Sequence, residues 1–130
     1  MTNPPPSELP NELKAFIYSC IDAVEQVEML SLLAGAAQPL TTRAVAGELG
    51  IADPAARHHL ETLTARGLLQ TEVAADVRYR YAPKSADLRR YADDLVRFYG
   101  ASRTTILRFI ASSPRRVKGF SDAFKLRDPD

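Results

Sequence analysis

The sequence predicts a mainly α domain carrying one small β-hairpin, followed by a long C-terminal helix. Three observations predict it. Apolar residues recur at helical spacing over residues 11–34 and again over 85–112. Between those stretches, Gly50-Ile51-Ala52-Asp53-Pro54 joins two short amphipathic segments through a turn of few residues. After Gly67, two short runs rich in β-branched and aromatic residues flank Ala75-Asp76, as the strands of a hairpin do.

Composition bounds the answer. The 130 residues make one domain with room for an added helix, and 45% hydrophobic with 25% charged residues is enough for a packed core. The net charge of +1 is unevenly spread: residues 1–40 carry −4, residues 41–90 carry +2 and residues 91–130 carry +3. Cys20 is the single cysteine, which precludes an internal disulfide and leaves too few thiolates for a structural zinc site. No apolar run reaches the ~20 residues that span a bilayer and no signal-peptide pattern opens the chain, so a cytoplasmic location away from membranes is expected.

Residues 1–10 hold Pro4, Pro5, Pro6 and Pro10 and read as a disordered or polyproline-like lead. From Asn11, the apolar set Leu13, Phe16, Ile17, Cys20, Ile21, Val24, Val27 and Leu30 predicts helix to about Ala34, either one long helix or two abutting at Asp22. Gly35 and Pro39 stop it. Thr41 or Thr42 caps a short helix, Arg43 to Leu49, closed by Gly50. Asp53 is the expected N-cap of the next helix, with Pro54 at its first position and its end at Arg66 before Gly67. Strands are expected over Leu68–Ala74 and Val77–Ala82. Ser85 then caps one long helix to about Ser112, a rod of roughly 40 Å at 1.5 Å per residue. The domains are thus a lead (1–10), a helical domain with hairpin (11–84), a C-terminal helix (85–112) and a tail (113–130) with a short amphipathic piece around Phe120, Ala123, Phe124 and Leu126.

Helix, helix, turn, helix, hairpin is the order of a winged helix-turn-helix. The stretch Asp53 to Leu69 resembles the recognition helix and wing approach of bacterial ArsR- and MarR-type regulators. In those families a helix with His-Leu, a Leu three residues on, and Gly-Leu before a further aliphatic residue leads into a wing that often ends in tyrosine. His59-Leu60, Leu63, Gly67-Leu68-Leu69, Tyr79 and Tyr81 occupy those places, and the resemblance spans roughly residues 22–82. It implies a transcriptional regulator of double-stranded DNA, with helix 54–66 in the major groove and wing 68–82 on the backbone or in the minor groove.

The residues give that implication its chemistry. Ala56, Leu60 and Leu63 share one helical face at i, i+4 and i+7, which should pack inward. The opposite face shows Ala55, Arg57, His58, Glu61, Thr62 and Ala65, and the resemblance places Ala55, Arg57, His58 and Thr62 at the DNA. Asn, Gln and Lys, the usual base readers beside Arg, are missing from that face. Arg78 and Arg80 alternate with Val77, Tyr79 and Tyr81, so both arginines lie on one side of their strand, set for phosphate or minor-groove contact or simply for solvent. Arg43 opens the preceding helix as a phosphate-contact candidate. Winged helices also bind proteins, so an adaptor without DNA binding is the alternative.

Other chemistries lack their residues. His58 and His59 diverge by ~100° on a helix and cannot easily chelate one ion, so no metal and no cofactor are expected, and His59 reads as half-buried structure. No Gly-rich phosphate loop, nucleophile elbow or His-Glu metal motif appears, so no enzyme is expected. Asp93 and Asp94 read as ordinary solvated positions. Finally, Leu88, Ala92, Leu95, Tyr99, Ser102, Ile106 and Phe109 step alternately by four and three, a heptad-like stripe. It is either an internal seam against the first helix or a dimer interface. Because the resembling regulators dimerise through terminal helices, a homodimer through Leu95, Tyr99, Ile106 and Phe109 is the expectation.

Overall fold

The computed structural model describes residues 9–112, so the 113–130 tail and most of the 1–10 lead lie outside the described residues. The chain runs α1 (Asn11–Cys20), α2 (Val24–Gly35), β1 (Leu40–Thr41), α3 (Thr42–Leu49), α4 (Asp53–Ala65), β2 (Leu69–Val73), β3 (Val77–Tyr81), α5 (Ala86–Ala101) and α6 (Arg103–Ala111). Leu9, assigned to the lead, is instead buried in the core together with Leu13 of α1. An apolar side chain two residues ahead of the first helix gains more from burial than the lead's prolines suggest.

Of the two possibilities for the first helical stretch, the chain takes the broken one. Ile21 is extended, with φ −119° and ψ 124°, and its side chain is buried where α1 gives way to α2. Helix α2 is the hub: Val27, Met29 and Leu30 are fully buried, and the helix packs against α3, α4, α5, α6 and β3.

The helix-turn-helix forms for local reasons. Thr41 Oγ1 accepts the Ala44 N–H at 3.1 Å and caps α3, and Gly50 ends it in the left-handed region at φ 72°. The cap of α4 is Ala52, not Asp53. The shift costs little, because Pro54 still lies in the first turn, where its missing N–H is not needed, and Asp53 favours the helix N-terminus by charge. Ala56, Leu60 and Leu63 are fully buried, as their spacing predicts.

The hairpin pairs Leu69 with Tyr81, Gln70 with Arg80, Thr71 with Tyr79, Glu72 with Arg78 and Val73 with Val77. Its connection is therefore the three residues Ala74-Ala75-Asp76, one more than the expected turn. Strand β1 adds a third strand on the other edge of β3, giving the antiparallel order β1-β3-β2, with Leu40 opposite Tyr79. Two residues of strand are too short for a period-2 pattern, so the sequence carries no sign of β1.

Gly67 joins α4 to β2 at φ 83°, and a Cβ there would lie 2.4 Å from the Lys84 side chain. Gly67→Ala should lower stability by about 1–2 kcal/mol through left-handed strain alone, read as a shift in the urea midpoint. Gly50→Ala, with open space around its Cβ, should show the strain without the contact.

The expected single C-terminal rod is two helices. Ser102 breaks it at φ −142° and ψ 61°, after Gly100 and Ala101. The bend lets Ala92, Leu95 and Tyr99 of α5 and Ile106 and Ile110 of α6 all enter one core. After the break the inward position falls on Ile110, whereas Phe109 is only half-buried. Phe16 of α1 stacks on Tyr91 of α5 at 5.8 Å, and Glu28 of α2 meets Arg103 of α6 at 3.4 Å.

Candidate nucleic-acid interface

Burying Ala56, Leu60 and Leu63 turns the opposite side of α4 outward. Ala55, Arg57 and His58 are exposed, and Thr62 is half-buried. Between α3, the start of α4 and β3 lies a groove of about 480 Å³, lined by Thr41, Thr42, Arg43, Asp53, Arg57, Glu61, Val77 and Tyr79. The fold therefore brings Arg43 and Arg57 to the rim of one groove, from different helices. Neither makes an ion pair among the described residues. Asp53 and Glu61 share the groove, so the two guanidinium groups stand beside two carboxylates.

The wing is less simple than its alternation suggests. Tyr79 is buried and Arg78 and Arg80 are exposed, as expected, but both arginines have partners within the hairpin. Arg78 Nε lies 2.8 Å from Asp76, and Arg80 lies 3.0 Å from Glu72 and 2.8 Å from the Gln70 amide oxygen. The Arg78 hydrogen bond holds the Asp76 carboxyl below the usual carboxylate range. Such exposed pairs are individually weak. Near the wing tip, Val73 is 76% exposed.

Several residues take places the sequence does not disclose. Asp93 is exposed, as expected, but it also has a partner: the Tyr81 hydroxyl donates to it at 2.5 Å, tying the wing base to α5. Partial burial and the Asp93 bond push the Tyr81 hydroxyl pKa well up, so it stays a donor at all ordinary pH. Asp94 pairs with Arg97. His59 is half-buried, as expected, and receives a hydrogen bond at Nδ1 from the buried Gln26 amide at 3.1 Å. Arg66, just past α4, reaches Asp22 and the Cys20 carbonyl.

The stripe assigned to dimerisation corrects to an internal seam. Leu95 and Ile106 are 0% exposed and Tyr99 is 8% exposed, all in this chain's own core, because the bend at Ser102 wraps α5 and α6 onto α1 and α2. Of the four residues, Phe109 alone keeps a partly open side chain. Among the described residues no three His, Cys, Asp or Glu side chains converge as metal ligands, and no helix is long and apolar enough to cross a membrane.

Helix-turn-helix, three-stranded sheet and outward second helix together make this a winged helix-turn-helix. Residues 27–72 match the IclR helix-turn-helix domain family. Solved structures of similar fold include HlyU from Vibrio cholerae N16961, at 23% identity and TM-score 0.55, covering 69% of this chain and 96% of that one. A MarR-family transcriptional regulator from Rhodococcus sp. RHA1 aligns at 18% identity and TM-score 0.54, over 87% of this chain and 80% of its own. Adhesin competence repressor (AdcR) from Streptococcus pyogenes aligns at 16% identity and TM-score 0.53, over 85% and 80%. At these identities the likeness is one of fold. No curated protein matches the sequence.

Proposed function

We propose that this chain is a DNA-binding transcriptional regulator of the cytoplasm, acting by binding and not by catalysis. The observation that carries the reading is the placement of Arg43 and Arg57 on one groove beside an outward recognition helix, within a segment that matches a helix-turn-helix domain family. Helix α4 enters the major groove, with Ala55, Arg57, His58 and Thr62 toward base edges. Arg43 sits against a phosphate, and Arg78 and Arg80 exchange their wing partners for the backbone or minor groove. The similar structures include a MarR-family transcriptional regulator and a repressor, which supports the same assignment here.

A helix-turn-helix monomer reads one half-site, so the working form is a homodimer binding a two-fold-related pair. With Leu95, Tyr99 and Ile106 spent on the internal core, the dimer contact falls to what the terminal helices leave partly open, Phe98 and Phe109 among them. Sedimentation checks this: a clean monomer at micromolar concentration removes the dimer.

Selection from a random duplex pool tests the function. Enrichment of an inverted repeat is expected; an unenriched pool together with capture of a protein partner would leave the adaptor. For the wing, replacing Arg78 and Arg80 with Ala should weaken binding to every sequence alike and shallow the salt slope by about one to two units. Loss confined to one sequence would instead mean base readout by the wing.

A further inference from the structure

The break between α1 and α2 reaches across to α4 at two points. Arg66, at the C-terminal cap of α4, donates from Nη1 to the Cys20 carbonyl at 2.5 Å and from Nη2 to Asp22 Oδ2 at 2.8 Å. Gln26 is 1% exposed: its Oε1 accepts the Asp22 backbone N–H at 2.8 Å, and its Nε2 faces His59 Nδ1 at 3.1 Å. His59 and Arg66 lie about two helical turns apart, so the contacts hold α4 at its middle and at its end. Apolar burial of Ala56, Leu60 and Leu63 keeps α4 on the core but is non-directional. Hydrogen bonds at two separated points fix its rotation and tilt.

We infer that Gln26 and Arg66 are positioning residues for the recognition helix, a two-point clamp by which the α1–α2 junction sets how α4 presents Arg57 and His58. The inference rests on the DNA-binding reading of α4. It also gives the clamp a proton dependence. The Gln26 amide cannot turn over without setting its NH₂ against the Asp22 N–H, so it donates to His59, and Nδ1 must carry a lone pair. A second proton on the imidazole would oppose two donors and open that point of the clamp.

The groups facing His59 are Glu25 and Gln26 from α2, Asp22 from the junction, and His58 from α4 itself. Burial lowers the His59 pKa below 6.5, Glu25 opposes, His58 adds to the lowering, and Asp22 opposes. With the folded value depressed, the unfolded chain takes the proton first. The stabilisation is therefore complete above pH 6.5 and drains away as pH falls through 6.5 toward the lower folded value.

The test measures discrimination, the ratio of affinities for a pool-enriched duplex and a mixed-sequence duplex, between pH 5.5 and 8. In the wild type the ratio should fall as pH drops through the depressed folded value of His59, which lies below 6.5. Gln26→Glu should reverse that sign, because a carboxylate at Gln26 pairs with the doubly protonated ring and loses its partner as pH rises. His58 is common to both proteins and cancels in the comparison. Parallel profiles would overturn the clamp. Arg66→Met, more exposed and easier to tolerate, should cut discrimination roughly tenfold with an unchanged salt slope, and Arg66→Lys should recover part of it. Unaltered discrimination in Arg66→Met overturns the positioning role. The clamp has its own readout without DNA: the His59 ring nitrogens in the wild type should report the Nε2–H tautomer. If they do and no duplex binds, the DNA reading fails and the clamp stands; if Nδ1 carries the proton, the clamp fails whatever the DNA result.

Discussion

Ile106→Asp should abolish the folded domain at neutral pH. Ile106 is 0% exposed and packs from α6 into the core shared with α2 and α5. The substitution forfeits about 1.5–3 kcal/mol of apolar burial and places a carboxylate in an apolar core. Against a total stability of about 5–15 kcal/mol, that is enough to unfold a domain of this size. The buried carboxyl would have a raised folded pKa, so the native state binds its proton first, and any residual structure should increase as pH falls. Phe109→Asp is the partner experiment. Its side chain is half-buried, so that variant should stay folded and lose only association. Circular dichroism with sedimentation reads both. A folded, monomeric Ile106→Asp chain would contradict the internal seam and return the stripe to a dimer interface.

The second large effect belongs to α4. Replacing Arg57 and His58 together with Ala should erase discrimination between an enriched duplex and random DNA, since each good base contact is worth about 1–3 kcal/mol. Both side chains are exposed, so the thermal midpoint should stay nearly unchanged. An unchanged footprint would remove these residues from the site. A large drop in the midpoint would mean that the outward face of α4 has been misassigned.

How far the sequence reaches is visible residue by residue. Short-range chemistry is legible in it: the Thr41 cap, the Gly50 turn, the inward face of Ala56, Leu60 and Leu63, and the alternation around Tyr79 all depend on neighbours a few positions away. The break at Ser102 is not, because heptad spacing continues across it and only the shape of the core decides between Phe109 and Ile110. The clamp joins residues 33 and 46 positions apart, and no local pattern distinguishes a Gln26 or Arg66 that will meet α4 from one left in water. The Tyr81–Asp93 bond is hidden for the same reason. In the candidate site, Arg43 and Arg57 were each readable as cations, but their meeting across one groove is a tertiary fact. The acids that neutralise the wing were in plain view at Asp76 and Glu72, yet their relevance depends on the hairpin register.

DNA binding is tested most directly by the affinity of the full chain for a pool-enriched duplex across a salt series. Each phosphate that Arg43, Arg78 or Arg80 neutralises should release counterions, adding about −0.9 to the slope of log affinity on log salt. A steep negative slope of several units is expected, with the enriched duplex held more tightly than random DNA throughout the series. A flat slope, or no binding to duplex at low salt, would contradict it.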